Sequence, residues 1–294
     1  MLKGITLPRL KMIAAMLIFG TIGIFRRFTP LPSGLKAALR GLIGALLLAI
    51  IASAGGKRPR LSACRDSLPL LILSGALIGA NWVLLFESYS YTSVAVATLC
   101  YYMAPIFVVP AAALLLKERL SVRQILCTAV AFIGMALVSG VFTGGISGAL
   151  GILLGLLAAV CYAAVVLMNR RLSQVPPTEK TIVQLFFAGL CVLPYALLRE
   201  DLTAVAVTPA SAALMAVICV VHTGLSYRLY FDAMGSLRAA ETAILSYIDP
   251  VVSILLSCLL LGETMDGAAW LGCVLILASA LISGLPSRST SSTK

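Results

Sequence analysis

Long apolar runs separated by short polar segments divide the whole chain. A helix of about twenty apolar residues crosses the hydrocarbon core of a bilayer. Residues 124–169 carry no formal charge and are too long for one such helix, and the Thr143-Gly144-Gly145 break divides them. The pattern therefore predicts an all-α polytopic membrane protein with ten transmembrane helices, at roughly 10–27, 34–54, 67–88, 93–115, 122–141, 148–168, 181–199, 209–231, 239–261 and 266–284.

One forty-residue stretch occurs twice without a gap. Residues Asn81–Leu120 align with Ser226–Met265, 145 positions later, and nine of the forty pairs are identical. The polar and ring-bearing landmarks of the two stretches coincide: Phe86 with Phe231, Glu87 with Asp232, Tyr102 with Tyr247, Pro105 with Pro250, and Glu118 with Glu263. The chain is therefore interpreted as two copies of one membrane unit.

The repeat also predicts the domain organisation. Five helices per unit place the second unit upside down relative to the first, an arrangement that recurs in secondary transporters with substrate bound near the midplane. We expect a first repeat over 1–143, a second over 144–285, and a disordered cytoplasmic tail over 286–294.

Composition and charge agree with a membrane protein. Apolar residues make up 61% of the chain, charged residues 11%, and the mean hydropathy is +1.06. If the N-terminus is cytoplasmic, sixteen Lys and Arg fall on the inner side and five on the outer side, with Arg228 inside a predicted helix. Because positive residues concentrate in cytoplasmic loops, both termini are expected in the cytoplasm of a cell with this protein in its inner (plasma) membrane.

The same charge distribution argues against other partners and chemistries. The net charge of +11 comes from short loops and not from an aromatic-interleaved basic patch, so we expect no nucleic-acid partner. Eight cysteines are spread singly without a CxxC pair, which predicts neither a metal site nor a disulfide framework. No catalytic or nucleotide-binding motif is present, so no enzyme activity and no cofactor is expected.

Several of these features together resemble the drug/metabolite transporter superfamily, specifically the ten-helix EamA type. The resemblance covers residues 10 to 285 and rests on Arg40 near the start of helix two, Gly134, the segment from Pro105 to Glu118, and its copy from Pro250 to Glu263. It implies two EamA repeats, a central cavity lined mainly by helices three, four, eight and nine, and movement of small solutes. Glu87, His222, Arg228 and Asp249 depart from the usual apolar pattern, so a relative's substrate cannot simply be transferred.

Ionisable groups inside a membrane are costly and are candidate functional residues. Asp249 precedes Pro250 in helix nine, where a carboxylate suits proton coupling or capture of a cation; a local helix cap or a structural partner is the alternative. His222, the only histidine, could pair with Asp249, donate to substrate or relay a proton, or could be held by one structural hydrogen bond.

Glu87 and Asp232 are equivalent in the repeat and are expected near opposite membrane faces. They could form the two mouths for a cationic or zwitterionic solute. Arg228 lies four residues before Asp232, a spacing that allows mutual pairing, so Asp232 is expected to be structural. Glu87 has no such partner in its own helix, and we predict that Glu87 and Asp249 carry charge or coupling.

A set of polar and aromatic residues is predicted to bind substrate. Aromatic walls with a few polar groups suit organic solutes, and ring faces attract ammonium groups. Core packing and anchoring at the membrane interface are the alternatives. The set consists of Asn81, Trp82, Phe86, Tyr101, Tyr102, His222, Tyr227, Tyr230 and Tyr247.

The remaining landmarks have mainly structural expectations. Pro105, Pro110 and Pro250 are expected to break or kink their helices, which allows gating but also static packing. Glu118 and Glu263 are expected to cap helix ends or contact loops. Arg26, Arg27 and Arg40 cluster on the outer side and are expected to snorkel to the interface, with attraction of anions or a carboxylate as the alternative.

Together these features predict a secondary transporter that moves a small organic metabolite by alternating access. The leading hypothesis is export of an amino-acid-like or amine-bearing solute, with proton coupling possible, by a monomer or homodimer in the lipid bilayer. A passive facilitator or channel and a non-transporting membrane scaffold are the alternatives. A channel would show flux without counterflow, and a scaffold would tolerate loss of the polar residues in the membrane.

Overall fold

The computed structural model describes residues 6–55, 59–116, 122–138, 148–203, 207–234, 237, 245–246 and 248–284. Every regular element in these ranges is helical, and the helices group into ten consecutive spans. This arrangement confirms the predicted fold class. Glu118 and Tyr247 lie outside the described residues, as do the predicted tail 286–294 and the first part of the ninth predicted span.

The spans of the first repeat have the following bounds. The first consists of Leu7–Gly20 and Ile22–Phe28, and the second is Ser33–Ala54. A short 3₁₀ helix, Leu61–Ser67, leads into the third span, Leu68–Tyr91. The fourth consists of Val94–Tyr101 and Ala104–Leu116, and the fifth is Val122–Val138.

The spans of the second repeat follow the same order. The sixth is Ala149–Arg171 and the seventh is Pro177–Arg199. The eighth consists of Pro209–Cys219, a π-helical segment Val220–Leu225, and Ser226–Met234. The ninth includes Ile248–Leu261, and the tenth is Gly267–Gly284.

Length and composition identify six of these helical segments as able to cross a membrane. They are the first, second, third, sixth, seventh and eighth spans, and four shorter apolar helices belong to the fourth, fifth, ninth and tenth. Large apolar side chains are exposed on the outside of the bundle, for example Leu114, Phe132, Leu198 and Leu259. Lipid tails can cover these surfaces, so the exposure agrees with a membrane location.

The packing of the spans follows an approximate two-fold pattern. The second span packs against the seventh, and the fifth packs against the tenth, so equivalent helices meet each other. The third packs on the sixth as the eighth packs on the first, and the fourth packs on the sixth as the ninth packs on the first. This exchange of partners is the pattern expected of two inverted copies.

Glycine pairs permit the closest of these crossings. A Cβ atom on Gly41 of the second span would collide with the backbone of Gly189 in the seventh. A Cβ on Gly134 of the fifth span would lie 2.8 Å from the carbonyl oxygen of Gly272 in the tenth. Small residues let membrane helices approach closely enough for dispersion contacts to hold them together.

Within the described parts of the chain, three spans are interrupted near the middle of the bundle. The first breaks at Thr21, and the fourth breaks between Tyr101 and Ala104, directly before Pro105. A proline removes a helical hydrogen bond and clashes with the preceding turn, which accounts for the break in the fourth span. The eighth span changes to a π-helix at Val220–Leu225, and the sequence did not predict this change.

Glu263 links the two repeats at one end of the bundle. Its carboxylate accepts hydrogen bonds from the backbone N–H groups of Val94 and Ala95, at 2.8 and 3.2 Å. These donors are the first, otherwise unpaired N–H groups of the fourth span, and an anion stabilises such a helix terminus. The geometry confirms the capping role expected of Glu263.

Candidate functional site

Arg40 lies inside the bundle and not at its surface. Its side chain is 6% exposed, and its Nε donates to the hydroxyl of Thr223 at 3.1 Å. The guanidinium carbon lies 4.2 Å from the ring centre of Trp82 in the third span. The expectation that Arg40 snorkels to the interface is therefore wrong, because neighbouring spans supply a partner for the charge within the protein.

The π-helix of the eighth span positions the partner of Arg40. Thr223 lies within it and donates its hydroxyl to the carbonyl of Ile218 at 3.1 Å, which leaves the oxygen free to accept from Arg40. A Cβ on Gly44, one turn beyond Arg40, would collide with the Thr223 methyl group. The close approach of the second and eighth spans thus depends on Gly44. Such π-helical segments are frequent at functional sites.

Asp249 occupies the first turn of the helix Ile248–Leu261. The Tyr102 hydroxyl donates to its Oδ2 at 2.5 Å, across the contact between the fourth and ninth spans. A further hydrogen bond, between Thr98 and Ser253 at 3.1 Å, lies about one helical turn away on the same two spans. Among the described residues, Asp249 therefore accepts one side-chain hydrogen bond, from the equivalent span of the other repeat.

Tyrosine side chains lie near both of these charged residues. The Tyr101 ring lies 5.6 Å from that of Tyr102 and 5.4 Å from that of Tyr162, measured between ring centres. Tyr101 is close enough to interact electrostatically with both Arg40 and Asp249. The arrangement joins a buried arginine, a half-buried aspartate and several aromatic rings, and we call Arg40, Trp82, Tyr101, Tyr102 and Asp249 the central site.

The first and eighth spans extend this aromatic region. Phe19 contacts the rings of Tyr227 and Tyr230, with ring centres 5.5 and 6.4 Å apart. Tyr227 lies within electrostatic range of Arg40, and Tyr230 lies within range of Tyr162. The structure therefore brings Tyr227 and Tyr230 to the same region as the central site.

Asn81 and Phe86 occupy a different environment. The Asn81 amide donates to the carbonyl of Ala158 in the sixth span at 2.6 Å, and the Asn81 side chain is buried. Ser88, two turns away on the same face, donates to the carbonyl of Gly151 at 2.8 Å. Phe86 is 1% exposed within the hydrophobic core. These residues fix the third span, and the structure places neither Asn81 nor Phe86 beside Asp249.

His222 has two partners within its own surroundings. Its Nε2 lies 2.8 Å from the Thr21 hydroxyl and its Nδ1 lies 3.4 Å from the Val217 carbonyl. The ring also packs edge-on against Phe25 at 4.8 Å. The structure thus links His222 to the break in the first span and not to Asp249, its hypothesised partner.

The equivalent acids Glu87 and Asp232 differ in their surroundings. Asp232 forms ion pairs with Lys11 and Arg228, each with an N···O distance of 3.3 Å, which confirms the expected pairing with Arg228. Glu87 is half-buried and lies within electrostatic range of Arg26 and Lys36. The basic neighbours of Glu87 therefore come from other spans, which its own helix could not reveal.

Among the described residues, no group of three or more His, Cys, Asp or Glu side chains could hold a metal ion. A separate apolar groove of about 720 Å³ lies between the second and seventh spans, beside the 3₁₀ helix. It is lined by Leu46, Ala49, Cys64, Ile182 and Phe186 among others, and it does not reach the central site.

Comparison with known proteins decides the family. The model of the EamA-like transporter family matches residues 7–140 and again 149–285. This chain belongs to the EamA-like transporter family. It thus has two EamA domains and is a multi-pass membrane transporter and not an enzyme.

Individual EamA-like relatives and a solved structure agree. An uncharacterized transporter, YxxF of Bacillus subtilis, is 30% identical over 92% of this chain and 86% of its own length. A probable amino-acid metabolite efflux pump of Salmonella typhimurium is 26% identical over 74% of this chain and 78% of its own length. A solved crystal structure with 23% identity covers 94% of this chain and 96% of its own, with a TM-score of 0.68, and thus shows the same fold.

Three residues of this EamA-like transporter were missed as site candidates. Thr223 is an ordinary polar residue in an apolar run, and only its π-helical backbone directs it to Arg40. Tyr162 lies outside the two repeated stretches Asn81–Leu120 and Ser226–Met265. Lys36 lies near the start of the second span, where a basic residue usually reaches the interface. Their roles depend on contacts between spans that sequence periodicity does not reveal.

Proposed function

We propose that this protein is a secondary transporter for a small amino-acid-like zwitterion. Arg40 binds the carboxylate of the solute, and Asp249 binds its ammonium group. The aromatic rings between them accommodate the remainder of the solute. The protein lies in the inner membrane with both termini in the cytoplasm, and it exports the solute.

The observation that carries this proposal is a buried arginine and a half-buried aspartate that lie near each other without forming an ion pair. Arg40 and Asp249 are close enough to attract each other, yet they form no ion pair within 4 Å among the described residues. A charge buried away from water is costly unless it is paired. A zwitterion between the two side chains compensates both charges at once, which a neutral solute cannot do.

The aromatic surroundings support an ammonium-bearing solute. Tyr101, Tyr102 and Tyr162 lie near Asp249, and Tyr162 and Tyr227 lie near each other. Ring faces attract cations, by about 0.5–2 kcal/mol depending on desolvation. The relative named a probable amino-acid metabolite efflux pump supports the same solute class and the direction of export.

Release of the solute requires that Asp249 finds another partner. The Tyr102 hydroxyl serves as that partner, because it donates to Asp249 from the equivalent span of the other repeat. Exchange of this hydroxyl for an ammonium group or a proton links occupancy to the contact between the fourth and ninth spans. Movement of one repeat against the other then exposes the site alternately to each side.

Binding of three related compounds to the purified protein tests the proposal. A ligand that binds the folded state raises its apparent stability in proportion to the logarithm of concentration over Kd. An amino acid should stabilise the wild-type protein more than the amine that lacks its carboxylate and the acid that lacks its amine. Equal stabilisation by the three compounds, or stabilisation by neutral solutes alone, would remove the basis of the proposal.

A further inference from the structure

A second set of charged residues lies at one end of the bundle, and it shares the second and third spans with the central site. It consists of Arg26 at the end of the first span, Lys36 in the second and Glu87 in the third, and we call it the outer cluster. The charge count of the sequence places this end outside the cell. Glu87 lies within electrostatic range of both basic residues.

Lys36 is almost completely buried, with 2% of its surface exposed. Its ammonium group donates to the backbone carbonyl of Thr29 at 3.2 Å. Among the described residues, no carboxylate lies within ion-pair distance of it. A carbonyl compensates a buried ammonium group only in part, because the charge itself stays uncompensated.

Arg26 is half-buried, and its hydrogen bonds to described residues leave one of its donors unused. One of its terminal nitrogens donates to the hydroxyl of Ser90 at 2.7 Å and to that of Ser33 at 3.4 Å. Its Nε is buried and has no hydrogen-bond partner among the described residues. Buried polar groups without a partner are uncommon in folded proteins, so the Arg26 Nε is a donor that an anion could use.

The other charges at this end leave the outer cluster short of negative charge. Arg27 adds a third base and donates to the carbonyl of Tyr89 at 3.1 Å. Glu200 is the other acid near Lys36, but both its oxygens already accept N–H groups from Gly34 and Leu35, at 2.6 and 2.9 Å. The cluster thus has unused donors for an anion.

The outer cluster lies between the central site and this end of the bundle along the second and third spans. Lys36 precedes Arg40 by four residues, about 6 Å along one face of the second span. On the third span, Glu87 follows Trp82 by five residues in the direction of the same end. Lys36 is thus the next basic residue after Arg40 on the second span toward this end.

We propose that the outer cluster is a second binding site for the same solute. The solute occupies this site on its way between the central site and the exterior. Arg26 and Lys36 bind the carboxylate, and Glu87 binds the ammonium group. This inference rests on the proposed function, because it takes the same zwitterionic solute. On the external face, residues outside the central site then select solutes that carry a carboxylate.

The test measures uptake from each face of oriented proteoliposomes, with orientation checked by protease cleavage of a C-terminal tag. The variants are Lys36→Gln, Lys36→Arg and, as a matched control at the opposite end of the bundle, Lys11→Gln. We expect Lys36→Gln to raise the half-saturation concentration of an amino acid about tenfold from the external face, equivalent to about 1.4 kcal/mol. We expect Lys36→Arg and Lys11→Gln to stay within about threefold of wild type.

Uptake from the internal face and uptake of the decarboxylated amine serve as two comparisons. Half-saturation from the internal face, and that of the decarboxylated amine from either face, should not change in Lys36→Gln. An equal loss from both faces would overturn the inference, because it would assign Lys36 to the fold or the central site. No change from the external face would also overturn it.

Two further controls separate this inference from the proposed function. If Lys36→Gln does not fold, Arg26→Gln takes its place with the same expected result. If wild-type protein transports the amino acid but both variants match it, the outer site is refuted and the proposed function stands. If the wild type does not bind the amino acid at all, both are refuted.

Discussion

Glu87 and Asp232 occupy the same position of the two repeats, near opposite ends of the bundle. Asp232 forms ion pairs with Lys11 and Arg228, whereas Glu87 lies beside Arg26 and Lys36 without an ion pair to any described residue. The same repeat position thus holds an acid in ion pairs at one end of the bundle. At the other end it holds an acid that forms no ion pair with a described residue. The difference indicates that the repeat determines the fold, while side chains from neighbouring spans determine the chemistry of each end.

The same contrast appears at mid-depth. Asp249 in the ninth span corresponds to Ala104 in the fourth, so only one repeat contributes an acid at this level. Trp82, which lies over Arg40, corresponds to Tyr227. An exactly symmetric cavity could not bind the two different ends of a zwitterion, and these substitutions provide the necessary asymmetry.

Asp249→Asn should have the largest effect, since it makes the ninth span neutral like the fourth. Asparagine can still accept a hydrogen bond from Tyr102, so the variant removes the charge and keeps the contact. Loss of one member of a buried charge pair costs about 2–5 kcal/mol, and the affinity for an amino acid should fall by at least about thirtyfold. Thermal stabilisation by increasing amino acid concentrations measures the change.

Tyr102→Phe is the control for that variant, because it removes the hydrogen bond and keeps the charge. One neutral donor to a charged acceptor contributes about 1.5–3 kcal/mol, but an ammonium group of the solute can replace it in the bound state. Binding should therefore weaken less than in Asp249→Asn or become tighter. A loss equal to that of Asp249→Asn would show that the hydroxyl, and not the charge, recognises the solute.

Trp82→Tyr should have an intermediate effect, because it makes the third span match the eighth. The smaller ring weakens the contact with the Arg40 guanidinium, which is worth about 0.5–2 kcal/mol in full. The affinity for the amino acid should fall about two- to fivefold, and that for its decarboxylated amine should not change. Equal weakening of both compounds would contradict the assignment of Arg40 to the carboxylate.

Asp232→Asn should have the smallest effect. The ion pairs of Asp232 are about one-third exposed, and such pairs contribute about 0–1 kcal/mol to stability. The variant should lower the unfolding temperature slightly and leave half-saturation unchanged on both faces. Glu87→Gln, its equivalent in the other repeat, should instead weaken uptake from the external face. Identical behaviour of the two variants would remove the contrast between the two ends.

The sequence predicted the fold well because each span needs only a local apolar run. The predicted ends of the second span agree with Ser33–Ala54 to within one residue. The Glu263 cap and the Asp232–Arg228 pair were also predicted, since a helix end and a four-residue spacing indicate them locally. The repeat identified Tyr102 as a candidate, and the structure brings it to Asp249.

The position of Arg40 could not be predicted in the same way. An arginine in the second turn of a span can reach the interface, and nothing local distinguishes that outcome from burial. Burial here depends on Trp82, on Gly44 and on the π-helical turn that carries Thr223, which lie on three different spans. Asn81 shows the opposite case, because it was predicted to bind substrate. In the structure its amide donates a hydrogen bond to a backbone carbonyl of the sixth span.

Counterflow in proteoliposomes tests the central claim most directly. Vesicles loaded with an unlabelled amino acid should accumulate the labelled compound transiently above its external concentration. Asp249→Asn should abolish this accumulation while the protein stays folded. Wild-type vesicles that only equilibrate the label, or Asp249→Asn vesicles that accumulate it as wild type does, would contradict the account.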